Sequence, residues 1–119
     1  MKNKVLIPKG GKYKCVIMEN KNTSVFIAGP GSYHKEVVKT ARRNNPELEE
    51  YRVRGGGRIE IRPFDWDSGL DSNKFLPQIH VYGYSVDFGH MNKTTVEILL
   101  SEYCNENDLE LINESGEGY

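Results

Sequence analysis

The chain has 119 residues, of which 37% are hydrophobic and 28% are charged, and its formal net charge is −1. This length fits one domain with a modest core, and the composition is ordinary for a soluble globular protein. The first residues lack the apolar run of a secretion signal, and no stretch approaches the roughly 18 apolar residues of a membrane helix. We therefore expect a cytoplasmic protein with no membrane association, and a monomer. Two reduced thiols are the simpler interpretation of Cys15 and Cys104, with a disulfide as the alternative.

The charges are distributed unevenly along the chain. Residues 1–62 hold 14 Lys and Arg against 6 Asp and Glu, whereas residues 63–119 hold 2 against 11. This division indicates either a dipolar surface or basic strands beside a site that binds anions. The alternative is that the two halves interleave in space and neutralise each other.

The first half of the chain predicts two strands and a helix. Apolar runs separated by the turn-like Glu19–Asn22 favour strands over Tyr13–Met18 and Ser24–Ala28. A helix is predicted from Tyr33 to Asn44, with Ser32 as its N-cap and an apolar stripe on one side. Pro46, after two asparagines, stops this helix.

The second half predicts short strands and one more helix. Strands are expected on both sides of the three glycines at 55–57, and Thr94 to Glu97 has the capping-box pattern of a helix start. In chain order the predicted elements are strands Tyr51–Arg54 and Arg58–Pro63, a polar loop Asp65–Pro77, strand Ile79–Ser85, a helix after Thr94 and strand Leu109–Ile112.

This order of elements predicts an α+β fold. We expect a mixed sheet of five or six strands flanked by two α-helices, in a single compact domain that spans residues 1–119. The sequence shows no internal repeat and no linker.

Several short motifs match known metal sites, but their sequence context does not support the match. Asp87-Phe-Gly89 spells the metal-binding tripeptide of kinases, but the chain is too short for a kinase and has no HRD loop. The segment Asp65 to Asp71 suggests a calcium loop, but it lacks the required glycine and glutamate. The three histidines do not have zinc spacing. We therefore expect no metal and no cofactor.

His34 is the candidate catalytic residue. In the first turn of its helix, the partial positive charge of the helix N-terminus disfavours imidazolium, so the ring is expected to be neutral near pH 7. A neutral imidazole suits a general base that accepts a proton from water. The alternative is an ordinary surface histidine.

Other candidates are cations and backbone amides suited to a phosphoryl group. Lys14 lies in a predicted strand, and Arg58 follows the three glycines, which could also be a tight connection or a bulge. Ser85, Val86 and Asp87 lie between a strand end and Gly89, where successive N–H groups could form an anion nest. An ordinary strand-to-helix connection is the alternative.

The order of these segments resembles the Janus/ocnus family. The resemblance rests on Tyr13-Lys-Cys-Val-Ile, Ser32-Tyr-His34, Gly55-Gly-Gly-Arg-Ile59, Ile79-His-Val-Tyr-Gly-Tyr-Ser85 and the terminal Gly118-Tyr119. It covers nearly the whole chain and implies a mixed sheet with helices on both faces. It also implies a phosphatase that removes phosphate from phosphohistidine in proteins by direct attack of water, without a metal.

The resemblance also implies residue roles. His34 matches the catalytic general base, and Lys14 matches the lysine that contacts substrate, with the nearby Lys12 as an alternative. Ser85, Val86 and Asp87 match the loop that holds the phosphoryl group, and Arg58 matches the arginine that supports the pocket. The carboxylate of Asp87 departs from the small residue usual there, and would repel a phosphoryl dianion unless it turns away. The segment from Phe64 to Pro77 is longer than is usual.

Two rival functions remain open at this stage. A catalytically silent phospho-recognition module would bind phosphate without turnover. An RNA-binding domain would use the basic first half together with Tyr82 and Tyr84, but we expect phosphohistidine-containing proteins, and not nucleic acid, as partners.

Overall fold

The computed structural model describes residues 4–62 and 77–116, which form an α+β fold with a six-stranded mixed sheet and two α-helices. The predicted fold class is confirmed. In chain order the elements are β1 (Lys4–Leu6), β2 (Gly11–Glu19), β3 (Ser24–Gly29), α1 (His34–Asn44), a 3-10 helix (Pro46–Glu50), β4 (Arg52–Arg62), β5 (Gln78–Gly83), α2 (Lys93–Glu106) and β6 (Glu110–Ser115).

The strand order in the sheet is β1-β3-β2-β4-β5-β6. The outer pairs, β1 with β3 and β5 with β6, are parallel, and the three inner pairs are antiparallel. The long central strands β2 and β4 lie side by side, so residues from distant parts of the chain meet at the middle of the sheet.

Both faces of the sheet are covered by a helix. The run Cys15 to Met18 in β2 is fully buried, because alternate residues point into two different cores. Cys15 and Ile17 pack in the layer under α2, whereas Val16 and Met18 pack in the layer under α1. Cys15 and Cys104 are buried in the α2 layer as free thiols, as predicted.

The prediction of two strands around the three glycines is wrong, because β4 runs without interruption from Arg52 to Arg62. Gly56 and Gly57 pair with Val16 and Cys15 of β2. The register shifts between Val16 and Met18, so the glycines do adjoin a β-bulge, which was one of the predicted alternatives.

Both predicted helix caps are corrected. Tyr33, and not Ser32, is the N-cap of α1, and the Glu36 carboxylate accepts hydrogen bonds from the N–H groups of Ser32 and Tyr33 at 2.9 and 3.1 Å. The second helix starts at Lys93, before the predicted capping box. Its N-cap is Asn92, whose Oδ1 accepts the Thr95 N–H at 3.0 Å.

Two short elements had no signal in the sequence. The three-residue strand β1 is too short to show alternation, and the 3-10 helix from Pro46 to Glu50 follows the proline that was expected only to end α1. The predicted loop from Asp65 to Pro77 lies outside the described residues except for Pro77, as does the terminal Gly118-Tyr119. Within the described segments, no helix combines the length and hydropathy required to cross a membrane.

Candidate active site

His34 is the first residue of α1, and its side chain turns inward against the sheet. The residue is only 7% exposed, and its Nε2 lies 2.8 Å from the carbonyl oxygen of Gly57. A carbonyl oxygen can only accept, so we assign the proton of the neutral ring to Nε2, and the lone pair to Nδ1.

The Nδ1 atom of His34 is free to act as a base. It has no hydrogen-bond partner in the described part of the chain, and no side-chain nitrogen or oxygen there is both sealed from solvent and without a partner. Solvent therefore reaches Nδ1, although most of the ring is buried. The carbonyl of Gly57 fixes the ring so that this nitrogen faces the solvent.

The pKa of His34 is lowered from its ordinary value of 6.5, and burial is the largest cause. The charges of Lys14 and Arg58 lower it as well. The hydrogen bond to the Gly57 carbonyl and the charge of Asp87 raise it, but they do not outweigh burial. The imidazole is therefore neutral at pH 7, as predicted, with burial as the principal reason.

Lys14 and Arg58 are directly opposite each other on β2 and β4, and residues opposite in an antiparallel pair lie on the same face. Both are partly buried, and both act electrostatically on His34. Lys12 is opposite Glu60, two residues further along the strands, and its Nζ lies 3.8 Å from that carboxylate. The geometry therefore favours Lys14 over Lys12 as the cation of the site.

The segment from Ser85 to Gly89 forms a closed turn. Ser85 and Gly89 exchange backbone hydrogen bonds of 3.2 and 2.8 Å, and the Ser85 Oγ accepts the N–H of Phe88 at 3.1 Å. The N–H groups of Val86 and Asp87 have no partner among residues 4–62 and 77–116. The turn thus offers two adjacent backbone donors, whereas the Ser85 N–H is already used and the Ser85 side chain is buried. Successive amides of this kind form an anion-binding nest.

Gly56 of β4 allows His34 and this turn to approach the strand. A Cβ on Gly56 would lie 2.8 Å from Cδ2 of His34 and 2.9 Å from Cβ of Ser85. The imidazole and Ser85 therefore pack against the same point, so the predicted histidine and the predicted loop are brought together. A Cβ on Gly55 would lie 2.2 Å from the carbonyl oxygen of His90, where the chain leaves the turn.

The carboxylate of Asp87 is held at the rim of the site. Its Oδ1 lies 3.8 Å from Nζ of Lys35, the residue after His34. This ion pair compensates the negative charge of Asp87 and leaves its backbone N–H available. The carboxylate of Asp87, which was expected to repel a phosphoryl dianion, is therefore paired with a cation from α1.

Two of these contacts were not found from the sequence. Lys35 carries no distinguishing signal, apart from its position in the first turn of α1. The Gly57 carbonyl that orients His34 belongs to the backbone, so no side-chain pattern reports it. Within the two described segments, no three His, Cys, Asp or Glu side chains cluster as metal ligands; the absence of a cofactor stays a prediction.

The fold and this geometry define a class of protein: a mixed α+β sheet with a turn of unpaired amides beside a neutral, oriented histidine. The profile of the Janus/Ocnus family matches residues 3–107, and the chain belongs to that family. A comparison with curated proteins gives no match.

Proposed function

We propose that this protein hydrolyses the P–N bond of phosphohistidine in proteins, with His34 as the general base. The observation that carries the proposal is the state of His34, which is neutral, oriented by Gly57 through Nε2, and open to solvent at Nδ1. The Janus/Ocnus family membership supports the same reaction class.

The binding of the phosphoryl group follows from the charges around His34. Lys14 and Arg58 offer positive charge, and the N–H groups of Val86 and Asp87 offer hydrogen-bond donors. Donors fixed before the reaction stabilise the charge of the transferred phosphoryl group without reorganisation. The Ser85 side chain is buried and its hydroxyl accepts the Phe88 N–H, so it holds the shape of the turn; its contact with the phosphoryl group stays a prediction.

The chemical step needs one proton transfer from water. As the water oxygen bonds to phosphorus, its proton passes to Nδ1 of His34, and the P–N bond breaks with its electron pair on the leaving nitrogen. A substrate imidazole protonated on its other nitrogen leaves as a neutral ring, so no further acid is required. Positioning and electrostatic stabilisation supply the remainder of the rate enhancement.

The test compares two histidine variants on a chemically phosphorylated histidine protein. His34→Ala is expected to lower kcat by about 10²–10⁴-fold, the usual contribution of a general base. His80→Ala removes an imidazole from the open part of the sheet, where His80 pairs with Glu114 at 2.5 Å, and serves as the matched control. Circular dichroism checks that both variants fold. Undiminished phosphate release by His34→Ala would reject the assignment.

The alternative is a phospho-recognition module without turnover. It is supported by Lys14, Arg58 and the two amides, since these groups would bind a phosphoryl group without any role for His34. Phosphate affinity in the wild-type protein, measured by calorimetry without any release of phosphate from phosphohistidine, would support this alternative. A steep salt dependence of oligonucleotide binding would instead favour an RNA-binding protein.

A further inference from the structure

A stripe of three cations runs along the outer side of α1. Lys35, Lys39 and Arg42 are separated by four and three residues, a spacing that places side chains on one side of a helix. The helix holds four cations and one acid, Glu36, whose carboxylate is used at the N-cap. The exposed side of α1 is therefore strongly positive.

The stripe forms one wall of a cleft of about 330 Å³. Val38, which lies between these cations on α1, forms the floor of the cleft, and Phe88 and Glu49 complete its lining. Phe88 is the last residue of the phosphoryl-binding turn before Gly89, and its N–H donates to Ser85. The cleft thus begins where the proposed active site ends.

The cleft keeps a net positive charge, because its three cations outnumber the carboxylates of Asp87 and Glu49 that lie in or beside it. The guanidinium of Arg42 donates to two carbonyl oxygens, those of Leu48 and Tyr51, which fix its position but carry no net charge. Lys39 forms no ion pair within residues 4–62 and 77–116, nor does Arg42. Lys35 alone has a carboxylate partner, Asp87.

We propose that this cleft binds acidic residues that flank the phosphohistidine in the substrate protein, an assignment that rests on the proposed function. From Lys35 to Arg42 the stripe is about 10 Å long at the rise of an α-helix. That length matches about three residues of extended peptide. The acidic residues are therefore expected within about four positions of the phosphohistidine.

The test uses two phosphohistidine peptides of equal length, one with glutamates and one with lysines at the flanking positions. The wild-type protein is expected to show a KM about five- to twentyfold lower for the glutamate peptide, since two or three exposed ion pairs contribute modestly. Lys39→Glu is expected to abolish or invert this preference. Arg43→Glu makes the same charge change on the same helix, outside the cleft lining, and is expected to leave the preference intact.

A second measurement separates docking from catalysis. Calorimetry at low ionic strength is expected to detect binding of the unphosphorylated glutamate peptide to the wild-type protein, and weaker binding to Lys39→Glu. If no phosphohistidine substrate is hydrolysed but this difference persists, the proposed reaction fails and the acidic-peptide cleft stands.

Three results would overturn the cleft assignment. One is an equal KM for both peptides in a protein that hydrolyses them. Another is an equal effect of Lys39→Glu and Arg43→Glu, which would show a general field effect of α1. The third is oligonucleotide binding that Lys39→Glu weakens while peptide binding is unchanged, which would assign the stripe to nucleic acid.

Discussion

Replacement of Gly56 by alanine tests whether His34 and Ser85 share the space beside β4. The new Cβ would lie 2.8 Å from Cδ2 of His34, 2.9 Å from Cβ of Ser85 and 3.0 Å from the carbonyl oxygen of Cys15. Carbon atoms rest about 3.5–4.0 Å apart, so the ring and Ser85 must each recede by roughly 0.6–0.7 Å. Gly56 cannot retreat, because it pairs with Val16 and its N–H donates to the Gly89 carbonyl at 3.0 Å.

The expected cost has a structural part and a functional part. Overpacking of a closely packed site typically costs about 1–3 kcal/mol of the free energy of unfolding. For a domain of this size that corresponds to a decrease in Tm of roughly 3–6 °C per kcal/mol. A displacement of the proposed general base and the proposed phosphoryl-binding turn by a large fraction of an ångström is expected to lower kcat/KM by about 10²-fold.

Gly29→Ala is the matched control, since Gly29 lies at the end of β3 opposite Lys14 and a Cβ there meets no atom within 4 Å. This variant is expected to keep the Tm and the activity of the wild-type protein. The two variants are compared by thermal unfolding, by the NMR signals of the His34 ring and by turnover of a phosphohistidine protein. A Gly56→Ala protein with unchanged Tm and unchanged ring signals would refute the packing argument, whatever the reaction.

The pKa of His34 is lowered below 6.5, so kcat/KM is expected to fall on acidification with a midpoint below that value. The free energy of unfolding should also decrease on acidification. The contribution of His34 is fully present above pH 6.5 and is lost as the pH falls through the lowered pKa of the folded state, because the unfolded chain binds the proton more readily. Denaturant titrations from pH 7.5 to 5 measure this, and the loss should be smaller in His34→Asn. Asp87→Asn keeps the backbone N–H but removes a charge that raises the pKa of His34, so the acid limb of the rate profile should move to lower pH, and KM should decrease; a shift to higher pH would contradict this. Asn92→Ala removes the cap of α2 and should cost about 1 kcal/mol in chemical denaturation, without a change in kcat.

Asp87 and Lys35 link the candidate active site to the cleft on α1. The carboxylate of Asp87 acts on His34 and pairs with Lys35, which also lines the cleft. An acidic residue of a substrate that approaches Lys35 would compete with Asp87 for the same ammonium. In this way the identity of the flanking residues could influence the charge balance beside the phosphoryl group.

Local sequence determined most of the regular structure. The apolar runs of β2 and β3, the alternation in β5 and the apolar stripe of α1 depend on residues no more than four positions apart, so the local pattern alone predicts them. The same local signals placed His34 at the start of a helix and extended the strand to Ser85, although β5 ends at Gly83 and Ser85 begins the turn that follows. The resemblance to the Janus/ocnus family then suggested that these residues belong to one site.

Only the tertiary structure decided how the residues of the candidate site contact one another. His34 and Gly57 are 23 positions apart, and their contact depends on how α1 packs on β4. The glycines at 55–57 suggested a break, but β4 continues through them. Glycine is needed at 55 and 56 because the chain at His90 and the imidazole of His34 leave no room for a Cβ. Contacts between distant residues arise from packing and backbone polar groups, which leave no periodic pattern in the sequence.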